Sequence, residues 1–160
     1  MEKVTDKIIS EVQALSEMSL EDGGFAESLP LKAVYFGDPG LIPQSLYPCA
    51  TVEPLVTDPE HQTTGADFDE LSVVITLHID ARDYFDHNAD EAIGDRALVV
   101  ASGALRRWFR RRSKRTLDGD VTSLEVRGTA YPRPMVRGSV ITKSSRTTLV
   151  VEKGYARVLD

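Results

Sequence analysis

The sequence predicts an α+β domain: an antiparallel-rich mixed sheet of about four to five strands, with an N-terminal helix and a long central helix packed on one face. Three observations in the 160 residues predict it. Apolar residues recur at helical spacing near the N-terminus and again beyond residue 89. Between those helices one segment alternates strictly, and the chain ends in two further strand-like runs. The resulting order, α–β–β–α–β–β, lacks the strand–helix alternation of a parallel sheet.

The first helix is expected over 3–19. Val4, Ile8, Val12 and Leu15 form one apolar stripe, Ile9 widens it, and Lys3, Glu11 and Glu17 lie outside. Gly23-Gly24 ends it, as glycine does past a last helical turn. Residues 20–47 are rich in breakers, with Asp38-Pro39-Gly40 reading as a turn and a short strand at 32–36. Tyr47-Pro48-Cys49-Ala50-Thr51-Val52-Glu53-Pro54 is a strand framed by prolines, which have no N–H for a ladder and so belong at strand ends or an edge.

Residues 56–70 read as a long acidic loop. The clearest strand follows, with Leu71, Val73, Ile75, Leu77 and Ile79 on the core face and His78 exposed and inert on the other. A helix is expected over 89–113, with Ile93, Ala97, Val100, Ala104, Leu105 and Trp108 at helical spacing. Asp90, Glu91 and Asp95 at its start and arginines at its end suit the helix dipole. Leu117-Asp118-Gly119-Asp120 is a turn, and strands are expected over 121–131 and 145–158, joined through Pro132, Pro134 and Gly138.

Length and composition fit one folded domain: 41% of residues are hydrophobic and 28% charged. One cysteine excludes an internal disulfide, and with three histidines gives no zinc set. No run of 18 apolar residues spans a membrane, and no signal-peptide core opens the chain, so folding in a reducing cytoplasm is expected. The net charge of −6 conceals an asymmetry. Residues 1–95 hold 20 acidic and 4 basic side chains, whereas residues 96–160 hold 5 and 15. That split favours either a nucleic-acid surface in the basic half or an acidic face meeting a basic face of another copy.

Motifs for catalysis are absent: the sequence holds no phosphate loop, H-E-x-x-H, nucleophile elbow or dinucleotide fingerprint. No enzyme activity, cofactor or metal is expected. Asp80, Asp83, Asp86 and Asp90 lack the glycine and final glutamate of a calcium loop and read as a solvated acidic connector. Cys49 has no cation in its local sequence and reads as a buried structural thiol. The concentrated feature is basic: Arg106, Arg107, Arg110, Arg111, Arg112, Lys114 and Arg115 place seven cations in ten residues around Trp108 and Phe109. The aromatics are expected to anchor the helix while the arginines project outward.

In their order, these features resemble the tail terminator (tail completion) family of tailed bacteriophages. The likeness rests on the opening helix ending near Gly23, the framed strand from Tyr47 to Pro54, the alternating strand 71–79, the long helix, and Leu117-Asp118-Gly119-Asp120-Val121 leading into paired final strands. Together these span most of the chain. Such a resemblance implies a virion protein at the tail–neck junction, assembled in the host cytoplasm. It implies a ring of identical subunits, usually six, that caps the tail tube, ends its polymerisation and joins the tail to the head. Its partners would be itself, the tail tube protein, a neck or head-completion protein and, in contractile tails, the sheath; the genome would pass through the lumen unread. Other phage neck or minor tail proteins share this general plan, and a nucleic-acid-binding module remains the alternative for the basic helix end.

Ring closure through a head-to-tail interface needs two unlike surfaces on each subunit. The candidate interface residues are Arg106, Arg107, Arg110, Arg111 and Arg115 on one side. Opposite them stand Asp58, Glu60, Asp67, Asp69 and Glu70, or the acidic connector at 83–91.

Overall fold

A computed structural model describes residues 2–56, 60–63, 66–83 and 93–156 of the chain. Helix α1 spans Glu2–Glu17, followed by strands β1 (Ala33–Phe36), β2 (Cys49–Val56), β3 (Glu60–Thr63) and β4 (Ala66–Asp80). Helix α2 spans Ile93–Arg110, and β5 (Ser123–Ala130), β6 (Met135–Arg137) and β7 (Val140–Ala156) complete the order. The sheet runs β1-β2-β4-β7-β5, with β3 paired to β4 and β6 to β7. Only β1 and β2 pair in parallel; the other pairings are antiparallel. The α+β class is as expected, and the five-strand path is extended by two short strands. No described helix is long and apolar enough to cross a membrane.

Both helices cover the same sheet face. Val4, Ile8, Val12 and Leu15 of α1 are buried, as their spacing requires, against Ala50 and Val52 of β2 and the odd-numbered residues of β4. On α2 the buried stripe is Ala97, Leu98, Ala101, Ala104, Leu105 and Phe109, shifted from the expected set: Val100 is half-buried. Small residues on α2 let the helix approach β7, where Ser102 Oγ donates to Ser145 Oγ at 2.7 Å in the core. Ser102→Ala strips Ser145 of that partner and should cost about 1 kcal/mol, measured as a lowered midpoint in urea.

The turn after α1 depends on two glycines for different reasons. Gly23 has φ +91°, and a Cβ there would lie 2.7 Å from an Arg111 guanidinium nitrogen. Gly24 packs so closely that a Cβ would fall 2.3 Å from the Met18 carbonyl oxygen. Phe25 and Leu29 then turn back into the core.

Several expectations need correction. The expected 56–70 loop is largely strand: β4 begins at Ala66, pairs with β7 back to Ala156, and carries β3 on its other side. Acidic residues hid this: Asp67, Asp69 and Glu70 break the apolar alternation, whereas the ladder to β7 pairs residues over 80 positions apart. Helix α2 stops at Arg110, where turns take over through Thr116, so Arg111–Arg115 are not helical. The expected helix start at 89–92 lies outside the described residues.

His78 is not exposed. Residues 37–48 cross the sheet face opposite the helices and cover it, leaving His78 3% accessible. Ile42, Tyr47, Cys49 and Val140 form a second, smaller core there. The crossing is clamped by a bidentate Arg137–Asp38 pair at 2.9 and 2.8 Å and by Gln44 Nε2 donating to Asp80 at 3.2 Å. Asp80 is likewise no solvated connector: it is fully buried at the end of β4. Burial pushes its carboxyl upward, but hydrogen bonds from Arg82 and Gln44 prevail and hold it below the ordinary value. Asp83 is exposed, and Asp86 and Asp90 lie outside the described residues. Cys49 is buried as expected, and burial pushes its thiol up to about 12.

Candidate functional site

The arginine-rich segment is set in place by its aromatics. Phe109 is fully buried under the last turn of α2. Trp108, half-buried beside it, donates from Nε1 to Glu11 Oε2 at 2.6 Å. Lys114 Nζ donates to the other oxygen of the same carboxylate at 2.7 Å, and Arg111 lies over the indole ring at 4.5 Å. A cation over an indole face is attracted by the ring quadrupole. One carboxylate of α1 therefore joins α1 to the end of α2 and to the turn that follows.

That turn is strained and braced. Leu117 and Asp118 have φ of +44° and +58°, a left-handed region that side chains other than glycine enter at some cost. Leu117 is buried in the main core, and its carbonyl accepts from Lys7 Nζ at 2.6 Å. The same ammonium binds Asp120 at 2.7 Å, which raises the lysine's pKa and lowers the aspartate's. Anchored at Trp108, Phe109 and Leu117, the intervening basic stretch projects outward.

The seven cations differ in their surroundings. Lys114 is neutralised by Glu11, Arg111 is stacked on Trp108, and Arg106 is half-buried. Arg107, Arg110, Arg112 and Arg115 are exposed and form no ion pair among the described residues. Arg110 and Arg115, with Thr116, form one wall of an open groove of about 640 Å³. The other wall is Thr122–Val126, the opening of β5. Strand β5 pairs only with β7 and so forms one margin of the sheet.

The acidic candidates lie elsewhere. Glu60 is in β3, and Asp67, Asp69 and Glu70 are in the first turnless stretch of β4, so all four sit on strands and not on a loop. Asp58 and residues 84–91 of the acidic connector lie outside the described residues. Strand β3 flanks β4 on the side away from β7, so β3 and β5 stand on opposite sides of the β4–β7 pair. Strand β7 separates β4 from β5, and Glu70 stands level with Glu152 and, beyond it, Ser123 of the groove wall.

Sequence reasoning missed Glu11 and Lys7, which fix the basic segment from over 90 residues away. Their only sequence signal was a place on the polar side of α1, which is common to any exposed helix residue. A second recess of about 310 Å³ is lined by Leu98 and Val99 of α2, by Tyr131, Pro132 and Pro134, and by Lys143 and Asp95, which pair at 3.0 Å. Among the described residues no group of three or more His, Cys, Asp or Glu side chains is arranged to hold a metal ion. No known family matches the chain, and no curated protein matches it.

Proposed function

We propose that this protein is a structural subunit of a phage tail that assembles into a ring, caps the tail tube and joins it to the neck. The observation that carries the reading is that the arginine-rich turn and the strands carrying the acidic residues occupy different places on one sheet. Exposed Arg110 and Arg115 stand beside the β5 margin, whereas Glu60 is on β3, across β4 and β7 from it, and Asp67, Asp69 and Glu70 open the central strand β4. A heterologous contact that closes on itself needs such a pair, and opposite charge guides its docking. The order of features along the sequence, from the opening helix and the framed strand to the paired final strands, supports the same reading through its resemblance to tail terminators.

Electron microscopy of the purified protein, alone and mixed with tail tubes, tests the proposal. Rings seated on tube ends are the expected result; a persistent monomer that ignores tubes would sink it. Charge also makes the assembly sensitive to salt, because screening shortens from about 10 Å at 0.1 M to about 3 Å at 1 M. Single exposed ion pairs contribute only about 0–1 kcal/mol, so the clustered set must act together. Reversing Arg110, Arg112 and Arg115 to glutamate should weaken assembly at least tenfold by sedimentation velocity, and high salt should weaken the native ring in the same direction. Arg111 is left out of that set because it is engaged on Trp108.

The exposed arginines also favour a second reading, a module that binds nucleic-acid phosphates. It expects retention of duplex DNA that falls steeply with salt, and an electrophoretic shift assay at low salt distinguishes it.

A further inference from the structure

Resting on the ring reading above, we propose that neighbouring subunits join edge to edge, the free margin of β5 in one copy pairing with β3 of the next. Strand β5 has one neighbour, β7, so its outer N–H and C=O groups have no ladder partner among the described residues. Strand β3 likewise pairs, among the described residues, with β4 alone. An open strand edge is a template for another strand, and natural proteins either blunt such edges or use them.

The β5 edge is blunted along part of its length only. Its register against β7 is regular from Ser123 to Val126 and shifts before Gly128, so a bulge at Arg127 interrupts it. Before the bulge lies a regular run of four residues and after it a shorter one, Gly128–Ala130; β3 is also four residues long, with a register shift of its own between Glu60 and Thr63. The groove walled by Arg110 and Arg115 follows this same run, from Thr122 to Val126. Glu125 also lines the groove, but its carboxylate is 3.4 Å from Arg127.

Strand direction agrees with the pairing. Strand β5 runs as β4 does, since both are antiparallel to β7, whereas β3 runs against β4. In a sheet continued from one copy to the next, β5 and β3 therefore meet antiparallel, the commoner and slightly more stable arrangement. Strand β3 stands beside Ala66–Phe68, which pairs with Gly154–Ala156, just past the Glu152 that faces Ser123. Adjacent copies must then be staggered along the strands, as any sheet that closes on itself requires.

Charge selects β3 over the other open margin. Residues 58–70 contain five acidic side chains and no lysine or arginine. Strand β1, the alternative, is Ala33-Val34-Tyr35-Phe36 and follows Lys32, which would bring a like charge toward Arg110 and Arg115.

The test is a disulfide scan on the full chain. Gln62→Cys combined with Ser123→Cys or Glu125→Cys should give a ladder of covalent oligomers on oxidation, ending at the closed ring. Each single substitution should give none, because Cys49 is buried and cannot substitute. In parallel, Arg110→Glu with Arg115→Glu should weaken the ring at least tenfold, and adding Glu60→Lys with Asp67→Lys should restore most of the loss. Rings that cap tubes but give no ladder and no rescue overturn the edge pairing while leaving the ring reading intact. Absence of rings from the native protein overturns both. Duplex DNA bound through Arg110 and Arg115, with no ladder, overturns the pairing in favour of phosphate binding.

Discussion

Phe109→Ala should cost about 3–5 kcal/mol, and with it the fixed position of the arginine cluster. The side chain is fully buried in the last turn of α2, among the largest in the core. Removing it leaves a cavity where the helix end is fastened, and the strained turn at Leu117 and Asp118 limits how far the chain can close over that space. Because Trp108 is the only tryptophan and is adjacent, its fluorescence reports locally on this end of α2. The expected result is a reduced urea midpoint together with a red-shifted native emission, as Trp108 loses its seat beside Glu11. Ring assembly should weaken in the same variant although no charge has changed. Arg107→Ala, on the exposed side of the same helix, should move stability by no more than about 0.5 kcal/mol. A Phe109→Ala loss below about 1 kcal/mol would show that the basic segment is positioned by something other than this anchor.

The contrast between Phe109 and Arg107 also explains what was legible in the sequence. Periodicity encodes burial, so the stripe of α1, the alternation of β4 from Leu71 to Ile79 and the exposure of Arg107 and Arg110 could be read directly. Burial on the second face of the sheet was not encoded in that way. His78 alternates away from the main core, and nothing near it in sequence reveals that residues 37–48 fold across it. That cover is fixed by Arg137 and Asp38, 99 positions apart, a pairing that local pattern does not register. The start of β4 was hidden for a related reason. From Ala66 to Glu70 three of five residues are acidic, and the strand state shows in pairing with β7, whose partners lie over 80 residues away.

The candidate site divides along the same line. That the cations are concentrated here follows from composition; helical spacing applies only as far as Arg110, and the turns beyond it place the rest. Which of them remain exposed and unpaired depends on Glu11, which takes Lys114, and on Trp108, which takes Arg111. The open edge of β5 beside Arg110 and Arg115 is a property of strand order, and strand order is set by tertiary packing.

Acidification should destabilise the fold by about 2–3 kcal/mol between pH 7 and pH 4.5, with His78 as the main cause. Burial, aided by the positive charge of Arg137 and then Arg146, pulls this histidine from its ordinary 6.5 down to about 4; Asp38 opposes the shift but is outweighed. Its ring lies 3.2 Å from Thr51 Oγ1, and nearby Thr76 Oγ1 and Tyr47 OH are buried without partners among the described residues. In the unfolded chain His78 takes up a proton as pH falls through 6.5, whereas in the folded chain it resists until about 4. The unfolded state therefore binds more protons across that interval, and stability falls as pH falls. The difference between 6.5 and about 4 corresponds to about 3 kcal/mol at its limit, most of it expressed by pH 4.5. The lowered carboxyls of Asp38 and Asp80 act in the same direction, but only below the ordinary carboxylate value of 3.8, so a comparison ending at pH 4.5 largely isolates the histidine. Urea titrations of the native protein and of His78→Gln, at equal protomer concentration, decide the matter, since association would otherwise shift the midpoints. His78→Gln should lose less than about 1 kcal/mol over the same range; equal losses in the two proteins would remove His78 as the cause. The segment that yields first should be 37–48, because a charged imidazole beneath it can gain water only by lifting that cover from the sheet.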